Sequence, residues 1–183
     1  MPKVSLPIFH HQRELYRGEG LRTIVAGTRE GEHAGVTYGF MLRALLSLDW
    51  QISCVLSGAN RGHRRKVKRG GRWVWEFKWY STDQLGEIVA ARHGIPLEQY
   101  PANWDLGKRG GPVRNAQMIG LADALVAFPG NGPGTRGIIE MARREQKQRP
   151  FKLAVFDAPG GFVDDGESAI DPVTHAMLVH GEI

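Results

Sequence analysis

Residues 124–135 read ALVAFPGNGPGT, a five-residue apolar run that leads directly into a loop rich in glycine and proline. Such a run, bounded by a turn signal, is typical of a strand that is buried on both faces of a parallel sheet. Four further runs have the same form, over residues 22–26 (RTIVA), 51–57 (QISCVLS), 97–100 and 151–156 (FKLAVF). The chain therefore predicts about five strands.

Helical periodicity separates these strands. Four helices are predicted, over residues 36–48, 83–92, 113–122 and 137–145. Asp83 is the predicted cap of the second helix and Gly94 its stop, while Pro112 takes the first position of the third. Alternating strands and helices predict an α/β protein, with helices on both faces of a mainly parallel sheet.

Composition indicates one globular unit without a membrane span. The chain has 183 residues, 42% hydrophobic and 23% charged, which is ordinary for one domain. No apolar run reaches the roughly 18 residues that a membrane helix needs, and residues 1–9 lack the long apolar core of a secretory signal. The single cysteine, Cys54, excludes an internal disulfide and a Cys-based metal site. We expect a cytoplasmic protein with no metal or other cofactor.

Three segments are predicted along the chain. Residues 1–20 hold two prolines and are interpreted as an N-terminal arm. Residues 21–157 contain the alternating strands and helices and form the domain. Residues 158–183 are rich in glycine, proline and aspartate and are interpreted as a C-terminal tail.

Glycine-rich loops follow the predicted strands. Right-handed crossovers place the carboxyl ends of parallel strands on one edge of the sheet, where ligands bind. The loop at residues 129–135 precedes a helix, whose free amides attract anions, although a tight strand-to-helix turn would need the same residues. The candidate phosphate-binding residues on these loops and the helix after Gly111 are Gly27, Thr28, Arg29, Ser57, Gly58, Arg61, Gly62, Asn115, Pro129, Gly130, Asn131, Gly132, Gly134 and Thr135.

Charged residues at the same edge point to an anionic ligand. Arg114 lies in the first turn of a predicted helix, where the helix dipole disfavours a cation, so we expect it to face an anion unless it is simply solvated. With Arg29 and Arg61 it makes three loop arginines, a set that suits a phosphate or carboxylate. Asp83 and Glu87 share one helix face and would bind ribose hydroxyls; a helix cap and a surface carboxylate are the alternatives.

An ordered series of motifs runs through the domain. It comprises residues 24–29 (IVAGTR), 56–62 (LSGANRG), Asp83 with Gly86 and Glu87, residues 100–105 (YPANWD), residues 111–115 (GPVRN) and the glycine loop that ends at Thr135. In this series the chain resembles the SLOG superfamily, the group of Smf/DprA and LOG proteins, and is most similar to its YspA-like branch. The resemblance covers roughly residues 21–157. It implies a three-layer Rossmann-like fold, a nucleotide-like ligand and a homodimer or higher homo-oligomer.

The resemblance also implies a possible activity. LOG members are phosphoribohydrolases, which release the base from a nucleoside 5′-monophosphate. Arg114 matches their arginine, but their glutamate, three residues after a Gly-Thr pair, is Ile138 here. Glu140 lies about 200° further round the helix and is expected to point away from the site. A carboxylate must stabilise the oxocarbenium-like transition state, so Arg114 with Asp83 or Glu87 are the candidate catalytic residues. A binding protein or sensor without catalysis is the other interpretation.

A basic segment interrupts the motif series between Gly62 and Asp83. Residues 63–80 carry seven Lys/Arg against one Glu, a net charge of +6, so the rest of the chain carries −1. The second half alternates, with Trp73, Trp75, Phe77 and Trp79 on one face. Gly70 and Gly71 are a two-residue turn signal. We therefore predict an inserted basic β-hairpin over residues 63–82 that projects from the ligand edge.

Three interpretations of this hairpin stay open. Packing on its own body or on a second subunit is favoured, because a free hairpin would not leave an aromatic face in water. Nucleic-acid binding is the second, by likeness to the DNA-handling Smf/DprA members, and a lid over the crevice is the third. The residues that would contact a nucleic acid are Arg64, Arg65, Lys66, Lys68, Arg69, Trp73 and Trp75.

Overall fold

The structure is a computed structural model that describes Leu15 and residues 18–158. Nearly all of the predicted arm (residues 1–20) and tail (residues 158–183) therefore lies outside the described residues. The strands are β1 (Leu21–Gly27), β2 (Ile52–Ser57), β3 (His63–Arg69), β4 (Arg72–Trp79), β5 (Leu97–Gln99), β6 (Ala124–Phe128) and β7 (Lys152–Val155). The helices are α1 (Tyr38–Leu46), α2 (Thr82–His93), α3 (Gly110–Leu121) and α4 (Pro133–Glu145), with 3-10 segments at Gly31–Ala34 and Trp104–Arg109.

Five strands form one parallel sheet in the order β5-β2-β1-β6-β7. The chain moves outward from β1 through β2 to β5, then crosses back to β6 on the other side of β1. The strand order therefore reverses between β1 and β6, where Gly27 pairs with Phe128. Ligands bind outside the carboxyl ends of strands at such a reversal. The α/β, Rossmann-like class is confirmed.

Helices cover both faces of the sheet, which explains why its strands are continuously apolar. Side chains of neighbouring strand residues point to opposite faces, so Ile24 and Val25 belong to different cores. Val25 packs with α1 and α2, whereas Ile24 packs with α3 and α4. Cys54 is buried in the second core. A three-layer sandwich follows from this arrangement.

Helix α2 begins one residue before the predicted start, and its cap is Ser81. The Ser81 Oγ accepts from the Gln84 amide at 3.1 Å, and the Gln84 Oε1 accepts from the Ser81 amide at 3.3 Å. This capping box makes the prediction of Asp83 as the cap wrong. Gly94 ends the helix in the left-handed conformation, with φ +65°, as predicted.

The other two site helices also begin earlier than predicted. Helix α3 starts at Gly110, so Pro112 takes its third position. The first amides of a helix have no acceptor within the helix, so the N–H that proline lacks costs no helical hydrogen bond there. Arg114 consequently lies in the second turn of α3, and its predicted first-turn position is wrong. Helix α4 starts at Pro133, with proline in the favoured first position.

The predicted hairpin is present and spans residues 63–79. Strands β3 and β4 pair antiparallel around Gly70 and Gly71, which adopt φ +54° and +80°. Positive φ at both central residues is what a tight hairpin turn requires. None of the helices in the described part of the chain combines the length and apolarity needed to cross a bilayer.

Candidate functional site

Thr28 joins the loops at the point where the strand order reverses. Its amide donates to the Phe128 carbonyl at 3.1 Å, and its carbonyl accepts from the amide and hydroxyl of Thr82 at 3.1 and 2.9 Å. A Cβ at Gly130 would lie 2.7 Å from the Thr28 Cβ, and one at Gly27 would lie 2.5 Å from the Phe128 carbonyl oxygen. These two glycines therefore serve contacts between chain segments.

Arg114 is buried at the same edge of the sheet, with 8% of its surface exposed. Its Nη1 donates to the carbonyls of Gly58 and, at 3.4 Å, Tyr100, and its Nε donates to the Asn115 Oδ1 at 2.8 Å. Among the described residues, its Nη2 has no acceptor. The guanidinium is thus fixed in position while one donor nitrogen stays uncommitted.

Asp83 lies beside Arg114 in the first turn of α2. Its Oδ2 accepts from the Asn60 amide at 3.0 Å, and the side chain is almost fully buried. Burial raises the pKa of Asp83 to about 6, although the Asn60 amide and the Arg114 charge oppose the rise. Burial lowers the pKa of Arg114, which the Arg29 charge lowers further and Asp83 raises. Arg114 therefore interacts electrostatically with both Asp83 and Arg29.

Glu87 is held by the protein itself. It is fully buried, and its two oxygens accept from the Ser57 hydroxyl at 2.6 Å and the Arg61 Nη1 at 2.8 Å. The alternative of a surface carboxylate is therefore wrong. Because both oxygens are engaged, Glu87 orders the loop after β2, and Arg61 is turned toward it.

The loop after β2 also uses its own backbone donors. The Ala59 amide donates to the Ser57 hydroxyl at 3.0 Å, and the Gly62 amide donates to the Gln84 Oε1 at 2.6 Å. Ala59 itself takes the left-handed conformation, with φ +54°. With the Asn60 amide engaged by Asp83, three amides of this loop are already satisfied. Ser57, Gly58 and Gly62 therefore contribute to the site by fixing the conformation of this loop.

Arg29 and the start of α4 form the open side of the site. The Arg29 guanidinium lies 5.4 Å from the Trp104 ring centroid. Gly132 caps α4 without a capping side chain from the described residues, and no acidic residue lies in the first turn. A Cβ at Gly132 or Gly134 would meet nothing within 4 Å among those residues. Helix amides that no side chain caps attract anions.

The remaining residues of the glycine loop differ in exposure. Pro129 and Gly130 are half-buried, Asn131 is exposed, and Thr135 is buried as the third residue of α4. Ile138 lies in the core against the sheet, and Glu140 is exposed. Position 138 therefore supplies no carboxylate to the crevice, and the Glu140 carboxylate points away from it, as the helical spacing predicts.

Sequence reasoning missed Asn60, Thr82 and Gln84. Each holds a loop in place through a hydrogen bond to a residue at least 22 positions away. One signal was available, because Ser81 followed three residues later by Gln84 is a capping-box pattern. The partners of Asn60 and Thr82 depend on tertiary structure and have no local signature.

Three guanidinium groups and two buried carboxylates thus share one edge of the sheet. The term crevice is used below for the carboxyl edge of the sheet at β1, β2 and β6, which carries Arg29, Asp83, Arg114, residues 129–132 and the first turn of α4. The described residues contain no group of three His, Cys, Asp or Glu side chains able to hold a metal ion. A comparison of the chain with protein-family models, curated proteins and solved structures finds no match.

Proposed function

We propose that this chain binds a nucleotide-like phosphorylated small molecule in the crevice. The observation that carries the proposal is the guanidinium of Arg114, which is held in place through Nε and Nη1 while Nη2 has no acceptor among the described residues. A guanidinium N–H forms a strong, charge-assisted hydrogen bond with a phosphate oxygen. Burial already opposes the charge of Arg114, so an anion bound at Nη2 would add favourable charge pairing to that of Asp83.

The ligand's phosphate would lie between Arg114 and the first turn of α4. The exposed backbone at Gly132 and Gly134 lets a phosphate approach the amides, and Arg29 supplies a second cation. Asp83 would accept a ribose hydroxyl. The resemblance to the SLOG superfamily, and the homodimer that it implies, are part of the same proposal, and the strand order with its reversal at β1 and β6 supports it.

The test is a thermal-shift titration with a panel of nucleoside 5′-mono- and diphosphates. A ligand that binds the folded state raises the melting temperature in a saturable way. Arg114→Gln should abolish the shift. Arg143→Gln is the matched control, because it removes one exposed charge near the carboxyl end of α4 and should keep the shift. Absence of a shift from every nucleotide would exclude the proposal.

N-glycosidic hydrolysis is the second candidate, and Asp83 favours it. A buried carboxyl with a pKa of about 6 can hold a proton near neutral pH and give it to a leaving base. Water would break the bond between the base and C1′, leaving free base and ribose 5-phosphate. The measurement is chromatography of free base from the same nucleotides. Arg114→Gln and Asp83→Asn should each abolish release, and binding without release would leave the chain a binding protein.

A further inference from the structure

The hairpin has one face on which aromatic and basic side chains alternate. Residues paired directly across an antiparallel ladder point to the same side. The register pairs Trp73 with Lys68, Trp75 with Lys66, and Phe77 with Arg64. We call these six residues the aromatic face.

Of the six residues of the aromatic face, only Phe77 is partly buried against the chain's own body. Phe77 packs against the core beside Tyr80, with ring centroids 5.2 Å apart. Trp79, which lies outside the six residues, stacks with His33 of the body and with His63 of β3, and the ring centroids are 4.7 Å apart in each pair. Packing on the body, the interpretation favoured from sequence, therefore describes the base of the hairpin.

The tip is different. Trp73 is 68% exposed and Trp75 is 52% exposed, so more than half of each of these residues is open to solvent. They are two residues apart on one strand and project in the same direction. Large apolar groups left open in this way mark an interaction surface. The exposed rings also mean that the tip is not closed over the crevice as a lid.

The charge of the aromatic face selects the occupant. Among the described residues, its three cations have no acidic neighbour on that face. Glu76 points to the other side and accepts from Arg65 at 2.8 Å and Arg69 at 2.9 Å. Lys66 lies 5.2 Å from the Trp75 ring centroid, and Arg64 lies 6.0 Å from it. Two copies docked through this face would set like charges against each other.

We propose that the aromatic face binds single-stranded nucleic acid. Unpaired bases would stack on Trp73 and Trp75, while Arg64, Lys66 and Lys68 neutralise the phosphates beside them. A duplex presents no open base faces to these rings, so a single strand fits better. This site is separate from the crevice and does not depend on the small-molecule proposal.

The test measures the binding of fluorescein-labelled oligothymidylate and oligouridylate, each of about 12 nucleotides, by fluorescence anisotropy. Binding of either should quench tryptophan fluorescence and weaken with salt, with a log–log slope of about −2 for three neutralised phosphates. The two probes separate DNA from RNA as the source. A duplex of the same length is the comparison and should bind more weakly.

Variants at exposed positions identify the face. Trp75→Ala should weaken binding about tenfold or more, and Trp75→Phe should retain most of it, because the ring is kept. Lys66→Gln with Lys68→Gln should weaken binding and make the salt slope shallower by about 1.4. The matched control is Arg65→Gln with Arg69→Gln, which removes the same charge from the opposite face and should weaken binding far less.

Four results would overturn the proposal. The first is no binding of either oligonucleotide at low salt by folded protein. The second is an equal loss of binding from the two double-charge variants, and the third is equal or tighter binding of the duplex. The fourth is a wild-type dimer that Trp73→Ala with Trp75→Ala dissociates while no oligonucleotide binds. The last result, read by analytical ultracentrifugation, would assign the face to a subunit contact. Unchanged melting temperatures show that each variant is folded.

Discussion

The guanidinium of Arg114 donates a hydrogen bond to the backbone carbonyl of Gly58, which lies 56 residues earlier in the chain. This bond connects helix α3 to the residue that follows β2. Asp83 lies against the same point, because a Cβ at position 58 would be 2.9 Å from its Oδ2 and would collide with the Arg114 Nη1. Glycine at position 58 therefore lets the cation and the carboxyl approach each other.

Gly58→Ala should displace the Arg114 guanidinium. A methyl group cannot fit between two charged groups held by buried backbone, so the variant should lose about 1–3 kcal/mol of unfolding free energy. Ligand binding in the crevice should fall with it. Urea denaturation and the thermal-shift titration measure the two effects.

Gly120→Ala is the control for that variant. Gly120 lies in α3, and a Cβ there would meet no described atom within 4 Å. Alanine in a helix interior should leave stability unchanged or raise it by up to about 1 kcal/mol. Equal behaviour of the two alanine variants would contradict the tight packing around Gly58.

Asp83 should make stability depend on pH in a specific direction. Burial raises its pKa to about 6, above the value of 3.8 that it has in the unfolded chain, so the folded state holds the proton more tightly. The stabilisation is therefore complete below about pH 4 and is lost as the pH rises through about 6, a change of up to about 3 kcal/mol. Asp83→Asn cannot titrate and lacks this contribution.

The measurement is the difference in unfolding free energy between wild type and Asp83→Asn, from urea denaturation at several pH values. The difference should shift in favour of the wild type as the pH falls from about 7 to about 4. Comparing the two proteins cancels the titration of groups that they share. A constant difference, or a shift in the opposite direction, would mean that burial does not control this carboxyl.

Arg61 and Glu87 should respond unequally to removal. Glu87 has no exposed side-chain surface, whereas 39% of the Arg61 side chain is exposed. Arg61→Gln leaves a buried carboxylate without its cation and should cost about 3 kcal/mol or more. Glu87→Gln leaves an arginine that water can reach and an amide oxygen for Ser57, so it should cost about 1 kcal/mol.

The double variant completes a thermodynamic cycle for this pair. Arg61→Gln with Glu87→Gln should be more stable than Arg61→Gln alone, because the buried charge is gone. Urea denaturation of the three variants supplies the numbers. If Glu87→Gln proved the more damaging single change, the asymmetry of burial would not govern the pair.

The sheet could be predicted because its signals are local and strong. Strands β1, β2 and β6 are buried on both faces, so they read as apolar runs that end in glycine or proline. Helix starts were harder, because Ser81 and Asp83 are both good caps and a reciprocal hydrogen bond to Gln84 decides between them. The first residues of α3 and α4, Gly110 and Pro133, are not marked by a comparable run of apolar residues.

The placement of charged residues at this edge could be predicted, whereas their hydrogen-bond partners could not. Topology alone places Arg29, Asp83 and Arg114 at one edge, because parallel strands share that edge. The use of the loop amides was not predictable, since Asn60 and Gly62 find acceptors on α2 that lie 23 and 22 residues later. The packing of the hairpin was not predictable either, because its base contacts the body while its tip stays exposed.

The central claim is that the crevice receives the phosphate of a nucleotide-like ligand. The most direct measurement is a crystal structure of the protein soaked with a nucleoside 5′-monophosphate. We predict phosphate density within about 3 Å of the Arg114 Nη2 and of the first amides of α4. A nucleotide bound elsewhere, or a crevice filled by the protein's own side chains, would contradict the account.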